Sequence, residues 1–274
     1  MKADIFIAGG QKCGTTALFQ FLTKHPDIIG AKSKEVDFFS YTSMFEKGVD
    51  FYHNQFPNDP RNRLKKILQP KHYLDASPSY LHDESPHVTS KRIYQYNKKA
   101  KAIIVLRDPI ERAISAYHHN IKLFKANKDW WIEWVKSRKE DFNIQKVRRR
   151  QEDEISDVKK YFINELEALD RSNYIEAPII DHGNYYPAVN AFKENFGENL
   201  LVISNEDFRN NTMETMSTIS TFLGIRTLNW AFTKGKIIYS NEYSISLDND
   251  ILDKLKCYYF ESNKLLAEEF NINF

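Results

Sequence analysis

Short apolar runs alternate with amphipathic stretches along most of this chain. Ile5-Phe6-Ile7 reads as a strand, and the following Ala17-Leu18-Phe19-Gln20-Phe21-Leu22 places Leu18, Phe21 and Leu22 on one helical stripe. That helix is expected to start at Thr15 and to stop ahead of His25-Pro26, since the residue before proline avoids helical dihedrals. Lys71-His72-Tyr73-Leu74-Asp75 is a second strand signal, ending in Ala76-Ser77-Pro78-Ser79-Tyr80. Ala102-Ile103-Ile104-Val105-Leu106 has the unbroken apolar character of a buried parallel strand. It runs into Arg107-Asp108-Pro109, an N-cap aspartate with proline at the first helical position. Behind it Ile110, Ala113, Ile114, Tyr117 and Ile121 follow core spacing. Leu200-Leu201-Val202-Ile203-Ser204 predicts another strand, then a helix over 212–223 closed by Gly224, and a last helix over about 250–270.

Strands alternating with helices predict an α/β fold with a central parallel sheet and ligands at the carboxyl ends of its strands. Residues 125–175 depart from this pattern. They are charged, helical in propensity and poor in apolar stripes, which suggests an inserted helical layer acting as an acceptor cap. No stretch rich in Gly, Ser and Pro divides the chain, so a single domain over 1–274 is expected.

Composition narrows the function classes. The 274 residues are 42% hydrophobic and 28% charged, as in globular proteins, and the formal net charge of +2 argues for no nucleic-acid partner. No apolar stretch reaches membrane-spanning length and no signal-peptide core is evident. With only Cys13 and Cys257 there is no disulfide framework, so a cytoplasmic protein is expected. Neither HExxH nor a Cys-rich ligand pattern points to a metal.

The chemistry collects at predicted strand ends. Residues 8–16, Ala-Gly-Gly-Gln-Lys-Cys-Gly-Thr-Thr, join the first strand to the first helix, where loop N–H groups and the helix dipole together make an anion site. The spacing is not that of an ATPase loop, which needs Gly-Lys-Ser/Thr; here Gly14 precedes Thr15-Thr16 and the lysine lies inside the loop at Lys12. Cys13 at the helix start reads as a small loop residue. Lys34-Glu35-Val36-Asp37-Phe38-Phe39 follows the first helix. Arg112, Ser115 and His119 fall on one face of the helix after Arg107, expected opposite Ile110 and Ala113. Thr233-Lys234-Gly235-Lys236 forms a basic turn. His72, His82, His118, His119 and His182 also lie near strand ends or on that helix, where a lone histidine more often serves packing.

Residues 10–16 resemble the 5′-phosphosulfate loop of PAPS-dependent sulfotransferases (PAPS, 3′-phosphoadenosine 5′-phosphosulfate), and residues 107–115 resemble their 3′-phosphate motif. Residues 34–39 resemble the Lys-Glu-x-x-Phe-Phe segment of the heparan sulfate N- and 3-O-sulfotransferase branch. Gly183-Asn184-Tyr185, Asn205-Glu206-Asp207 and Lys234-Gly235 match later landmarks of that family in order. The resemblance implies a P-loop-like three-layer α/β/α sandwich that needs no metal, with PAPS as donor and PAP (adenosine 3′,5′-bisphosphate) as product. It implies a donor site of Gln11, Lys12, Cys13, Gly14, Thr15, Thr16, Arg107, Ser115, Tyr185, Lys234, Gly235 and Lys236. Lys12 would also stabilise the departing phosphate, and Glu35 would be the general base that takes the acceptor's proton during in-line attack on sulfur.

Acceptor contacts are expected from Phe38, Phe39, Tyr80 and His182, with His182 second to Glu35 as a base. Two departures, Ala76 where the branch often carries lysine and Asp37 where it often carries His or Gln, both lie on the acceptor side. A glycan acceptor is therefore weighed against a small molecule or lipid, and a nucleotide kinase ranks below both. Residues 136–150, ending in Arg148-Arg149-Arg150, suggest a solvated helix face or a basic lip for an anionic polysaccharide. Trp130, Trp131 and Trp134 suggest core packing ahead of sugar stacking. Neither the acceptor atom nor an oligomeric state is legible in the sequence.

Overall fold

The computed structural model describes residues 2–57, 72–82, 85–139, 142–230 and 247–274. Strands β1 (Ile5–Ile7), β2 (Ile28–Gly30), β3 (His72–Ala76), β4 (Lys101–Leu106) and β5 (Leu200–Ser204) pair in the order β2-β3-β1-β4-β5. Every pairing is parallel, with Ile5 opposite Leu74 on one side and Lys101 on the other. The expected α/β fold with a central parallel sheet is therefore present. Residues 102–106 of β4 are fully buried, as their unbroken apolar run requires. β2 and β3 lie on one side of β1 and β4 and β5 on the other, so the order reverses there. That is where a parallel α/β sheet opens a crevice at its carboxyl edge.

The α-helices among the described residues are α1 (Thr15–Leu22), α2 (Thr42–Phe45), α3 (Gly48–His53), α4 (Ser79–His82), α5 (Pro86–Tyr96), α6 (Pro109–Ala126) and α7 (Trp130–Lys136). They continue with α8 (Glu152–Ser156), α9 (Val158–Asp170), α10 (Tyr186–Phe196), α11 (Asn205–Asn210), α12 (Thr212–Leu223) and α13 (Asn249–Phe270). None of them is long and apolar enough to cross a membrane. The chain forms two compact units, Met1–Arg107 with Pro187–Ser240 and Asp108–Tyr186 with Asn241–Phe274. Each unit is assembled from segments distant in sequence. The chain passes between them at Arg107–Asp108, a strand-to-helix turn with no linker composition to mark it.

The first unit holds the sheet. Leu18, Phe21 and Leu22 of α1 are buried as their spacing predicts. Around Phe6 of β1 an aromatic cluster forms, with Phe39 at 5.6 Å and Phe39 in turn 4.9 Å from both Phe38 and Tyr52, 5.3 Å from Tyr96 and 6.0 Å from Tyr80. Gly224 closes α12 at φ +73°, the left-handed C-cap expected of it.

In the second unit α6 starts as predicted: Pro109 is its first residue, and the Asp108 carboxylate accepts the N–H of Glu111 at 2.8 Å. Arg112 and Ser115 are buried along with Ala113, because α6 is enclosed on more than one side. Arg112 donates to the carbonyl of Ile179. Residues 125–175 also carry more core than their charge suggests. Tyr161 and Phe162 of α9 pack with Ala113, Tyr117, Leu255 and Tyr259, while Trp131, Val135, Val147 and Ala177 gather around Phe124.

The basic run over 148–150 is neither a helix face nor an open lip. Arg148 pairs with Glu154 at 2.8 Å and Arg149 with Asp129 at 2.6 Å. Arg150 is buried on Glu165 at 2.7 Å, its guanidinium 3.3 Å from the Tyr161 ring centre. Glu154 nearby and the more distant Asp129 and Glu165 together neutralise the run.

Candidate functional site

Beyond β1 the backbone keeps following β4. The N–H groups of Ala8 and Gly10 donate to the carbonyls of Ile103 and Val105 at 3.0 and 3.1 Å. A Cβ on Gly9 would stand 2.5 Å from the Val105 nitrogen, so only glycine allows this approach. The chain then turns, with Cys13 N–H on the Gly10 carbonyl at 3.1 Å. Two left-handed residues, Lys12 at φ +67° and Gly14 at φ +97°, swing it into α1. No side chain caps the first turn of α1 and no acidic residue lies in it. Positive helix potential, unopposed by a carboxylate, thus stands beside a lysine.

Two side chains hold this loop from outside. His82 Nε2 accepts the N–H of Gln11 at 3.0 Å, and Asn205 Nδ2 donates to the Cys13 carbonyl at 2.8 Å. Because Nε2 accepts, the proton of neutral His82 lies on Nδ1. Cys13 is buried, its thiol 3.6 Å from the Gln11 carbonyl, in keeping with a small loop residue. Arg107 follows two residues after Val105, so it leaves the same edge of the sheet as the loop.

The segment carrying Glu35 lies on the other flank. Glu35 and Asp37 both adopt left-handed backbone, φ +69° and +57°, which costs ordinary residues about 1–2 kcal/mol each. The Glu35 N–H donates to the Ala76 carbonyl at the end of β3, at 2.9 Å. The Glu35 side chain is 52% exposed, with Lys34 Nζ 2.5 Å from Oε1. Beneath it, buried Asp75 accepts the hydroxyls of Tyr80 at 2.6 Å, Tyr52 at 3.0 Å and Ser77 at 3.1 Å. Burial pushes the Asp75 carboxyl up to about 6 against the pull of those three donors.

The remaining sequence candidates divide. Phe38, Phe39 and Tyr80 are core residues of the aromatic cluster, not a face for an acceptor: the backbone after Glu35 turns the two phenylalanines inward, and Tyr80 packs on Phe39 from α4. Ser115, Tyr185 and His182 belong to the second unit. Tyr185 is buried with its ring 6.2 Å from that of Phe274. Burial, with Arg112 and Lys139 adding to it, pushes His182 down to about 3. It is thus neutral near pH 7 but a weak proton acceptor. A Cβ on Gly183 would stand 2.8 Å from Tyr259 and 2.9 Å from Pro109, so glycine lets that turn pack closely. Lys234, Gly235 and Lys236 lie outside the described residues.

Sequence reasoning missed the parts of His82, Asn205, Asp75 and Ser77. Asp75, Ser77 and Asn205 lie at strand ends, a signal that could have singled them out, whereas His82 closes α4. Among the described residues no cluster of His, Cys, Asp and Glu is arranged to hold a metal ion.

Comparison with known proteins adds an independent line. Residues 2–254 match a family model described as a sulfotransferase domain. The membrane-associated sulfotransferase kil1 of Dictyostelium discoideum is 32% identical over 131 residues, 48% of this chain and 26% of that protein. Bifunctional heparan sulfate N-deacetylase/N-sulfotransferase 4 of Mus musculus is 38% identical over 118 residues, 41% of this chain and 12% of that protein. The chain thus spans only a minor part of these relatives' own length. A crystal structure of a sulfotransferase from Alicyclobacillus acidocaldarius shares the fold at TM-score 0.67 and 23% identity, covering 100% of this chain and 98% of that one.

Proposed function

From the membership of this chain in the sulfotransferase domain family, matched over residues 2–254, we propose that it transfers a sulfuryl group from PAPS to a hydroxyl or amino group of a carbohydrate. The observation that carries the reading is the loop over 10–14. It leads into a helix start with neither side-chain cap nor acid, contains Lys12, and leaves the sheet edge beside Arg107. Such a site suits a donor with an anion at each end better than it suits a neutral ligand. Lys12 and the first-turn N–H groups of α1 hold the 5′ end, and Arg107 contributes to holding the 3′-phosphate.

In the step itself an acceptor lone pair forms the new bond to sulfur while the bond from sulfur to the 5′-phosphate oxygen breaks. The acceptor proton passes to a Glu35 carboxylate oxygen. Lys12 meets the negative charge that grows on the departing oxygen, where stabilisation lowers the barrier. The half-exposed Glu35 side chain can reach a bulky acceptor without moving the core, which favours a glycan. The name of the mouse relative, a heparan sulfate enzyme, points the same way.

The test is transfer of labelled sulfate from PAPS to a panel of glycans, phenols and lipids. It is run alongside thermal shifts with PAP and with ATP plus magnesium. Transfer to a glycan with stabilisation by PAP is expected. Preference for ATP-magnesium with no transfer would refute the reading, and transfer only to phenols or lipids would refute the carbohydrate acceptor.

A further inference from the structure

Two residues after Lys34, Glu35 and Asp37, are held by one short segment from the end of β3 into α4, and the holding is polar at every point. Glu35 N–H donates to the Ala76 carbonyl at 2.9 Å, and Asp37 N–H donates to Ser77 Oγ at 3.1 Å. The Ser77 hydroxyl, so engaged as an acceptor, donates its own proton to Asp75 Oδ1 at 3.1 Å. On the other side Ser79 donates to Asp37 Oδ1 at 2.7 Å, and Ser40 donates to the Asp37 carbonyl at 3.0 Å. All of Asp37, Ser40, Asp75, Ser77 and Ser79 are buried.

This is an unusual investment for a surface turn. Two non-glycine residues in left-handed backbone within three positions would relax unless the surroundings over-determined them. A second buried carboxylate beside Asp37 raises the cost further, since each disfavours the other's charge. Structural convenience does not account for it; an apolar pair with a glycine at 35 would make the same turn with less strain. What the arrangement secures is the place of the one half-exposed carboxylate in the segment, that of Glu35. The Ser77 hydroxyl is the link, because its single proton points to Asp75 and leaves its lone pairs for Asp37 N–H.

We propose that Asp75 is a positioning residue which, through the Ser77 hydroxyl, holds the turn over 34–37 and so aims Glu35 at the acceptor. The inference rests on the reading of Glu35 as the general base. Tyr52 and Tyr80 keep the Asp75 carboxylate in place with their hydroxyls, and Ser79 ties Asp37 from the opposite side.

The test uses the full chain with Ser77→Ala, Ser77→Thr, Glu35→Gln and the double variant Glu35→Gln/Ser77→Ala. Loss of aim is expected to lower kcat of Ser77→Ala by about a hundredfold, as for a misplacement on the scale of an ångström. PAP affinity should stay at the wild-type value, and Ser77→Thr, which keeps the hydroxyl, should restore turnover. Added to Glu35→Gln, Ser77→Ala should cost nothing more, because the two act through one group. Amide exchange should rise over 34–38 in Ser77→Ala and stay unchanged over 10–17.

Full turnover in Ser77→Ala, an equal further loss in the Glu35→Gln background, or unchanged exchange over 34–38 would each overturn the proposal. A wild-type chain that transfers no sulfate, or an active Glu35→Gln variant, would instead overturn the functional reading, and the exchange result would still report on the tether. If Ser77→Ala does not fold, Ser79→Ala removes another tether of the same turn and enters the same cycle.

Discussion

The side-chain amide of Asn205 donates to the Cys13 carbonyl at 2.8 Å, binding the start of α11 to a loop nearly two hundred residues away in sequence. A Cβ on Gly14 would come within 2.5 Å of that same amide nitrogen. Loop shape and Asn205 are therefore set together, and the first-turn N–H groups of α1 inherit their direction from both.

Removing this tie should loosen the anion site. Asn205→Ala is expected to weaken PAP binding by about fivefold, the worth of a hydrogen bond of about 1 kcal/mol, measured by titration calorimetry. Gly14→Ala should be worse, since it adds left-handed strain to the steric conflict. Wild-type affinity in Gly14→Ala would show that the loop geometry does not govern donor binding.

Glu35→Gln keeps the size and hydrogen-bonding reach of the side chain but cannot accept the acceptor's proton. Turnover is expected to fall by about 10²–10⁴, with PAP affinity unchanged, in steady-state kinetics paired with calorimetry. Lys12→Met, in contrast, should impair both quantities, because the proposed role has Lys12 meet the donor in the ground state and in the transition state.

Asp75 has a pH signature of its own. Its carboxyl titrates near 6 when folded and near 3.8 otherwise, so the folded chain holds that proton more tightly. Its contribution to stability is full below the lower value and is lost as pH rises through the higher one. Denaturant unfolding of wild type and Asp75→Asn across that window should show the wild-type advantage shrinking as pH increases. A difference independent of pH would argue that the folded carboxyl is not shifted upward.

His182 runs the other way. Its folded value of about 3 lies below the ordinary 6.5, so unfolding takes up a proton between them. Stability from neutral His182 is present above 6.5 and is lost as pH falls toward 3. His182→Gln should lose less stability than wild type on acidification, followed by the same unfolding measurement. Equal losses would place the histidine in contact with water.

The buried Arg150–Glu165 pair is a test of the second unit. Glu165 also accepts the N–H groups of Ile179, at 2.5 Å, and Ile180. Glu165→Ala would strand Arg150 without a counter-charge and is expected to cost about 3–5 kcal/mol, read from the urea midpoint. Arg148→Ala, at an exposed pair, should cost about 1 kcal/mol or less.

Elements with their own local signals were legible in the sequence. The β4 run, the Asp108-Pro109 start of α6, the α1 stripe and the Gly224 cap all fall where pattern and capping chemistry put them. Short elements were not: β2 is the three residues Ile28–Gly30, too brief for any period to register. Phe38, Phe39 and Tyr80 misled because an aromatic residue looks the same in sequence whether it meets a ligand or fills a core. The inward direction of Phe38 and Phe39 follows the left-handed turn at Glu35 and Asp37, which no residue type there announces.

By itself the sequence determined the parallel α/β plan, the anion loop with its internal lysine, and the acidic segment at Glu35, because each is written in neighbouring residues. Tertiary structure alone decided what holds those parts. His82 and Asn205 fix the loop, Ser77 fixes the turn by accepting the Asp37 N–H, and Glu165 takes Arg150 out of solvent. Each of these is a single hydrogen bond or ion pair between residues distant in the chain. Such a contact leaves no local pattern, since its partners become neighbours only when the strands align.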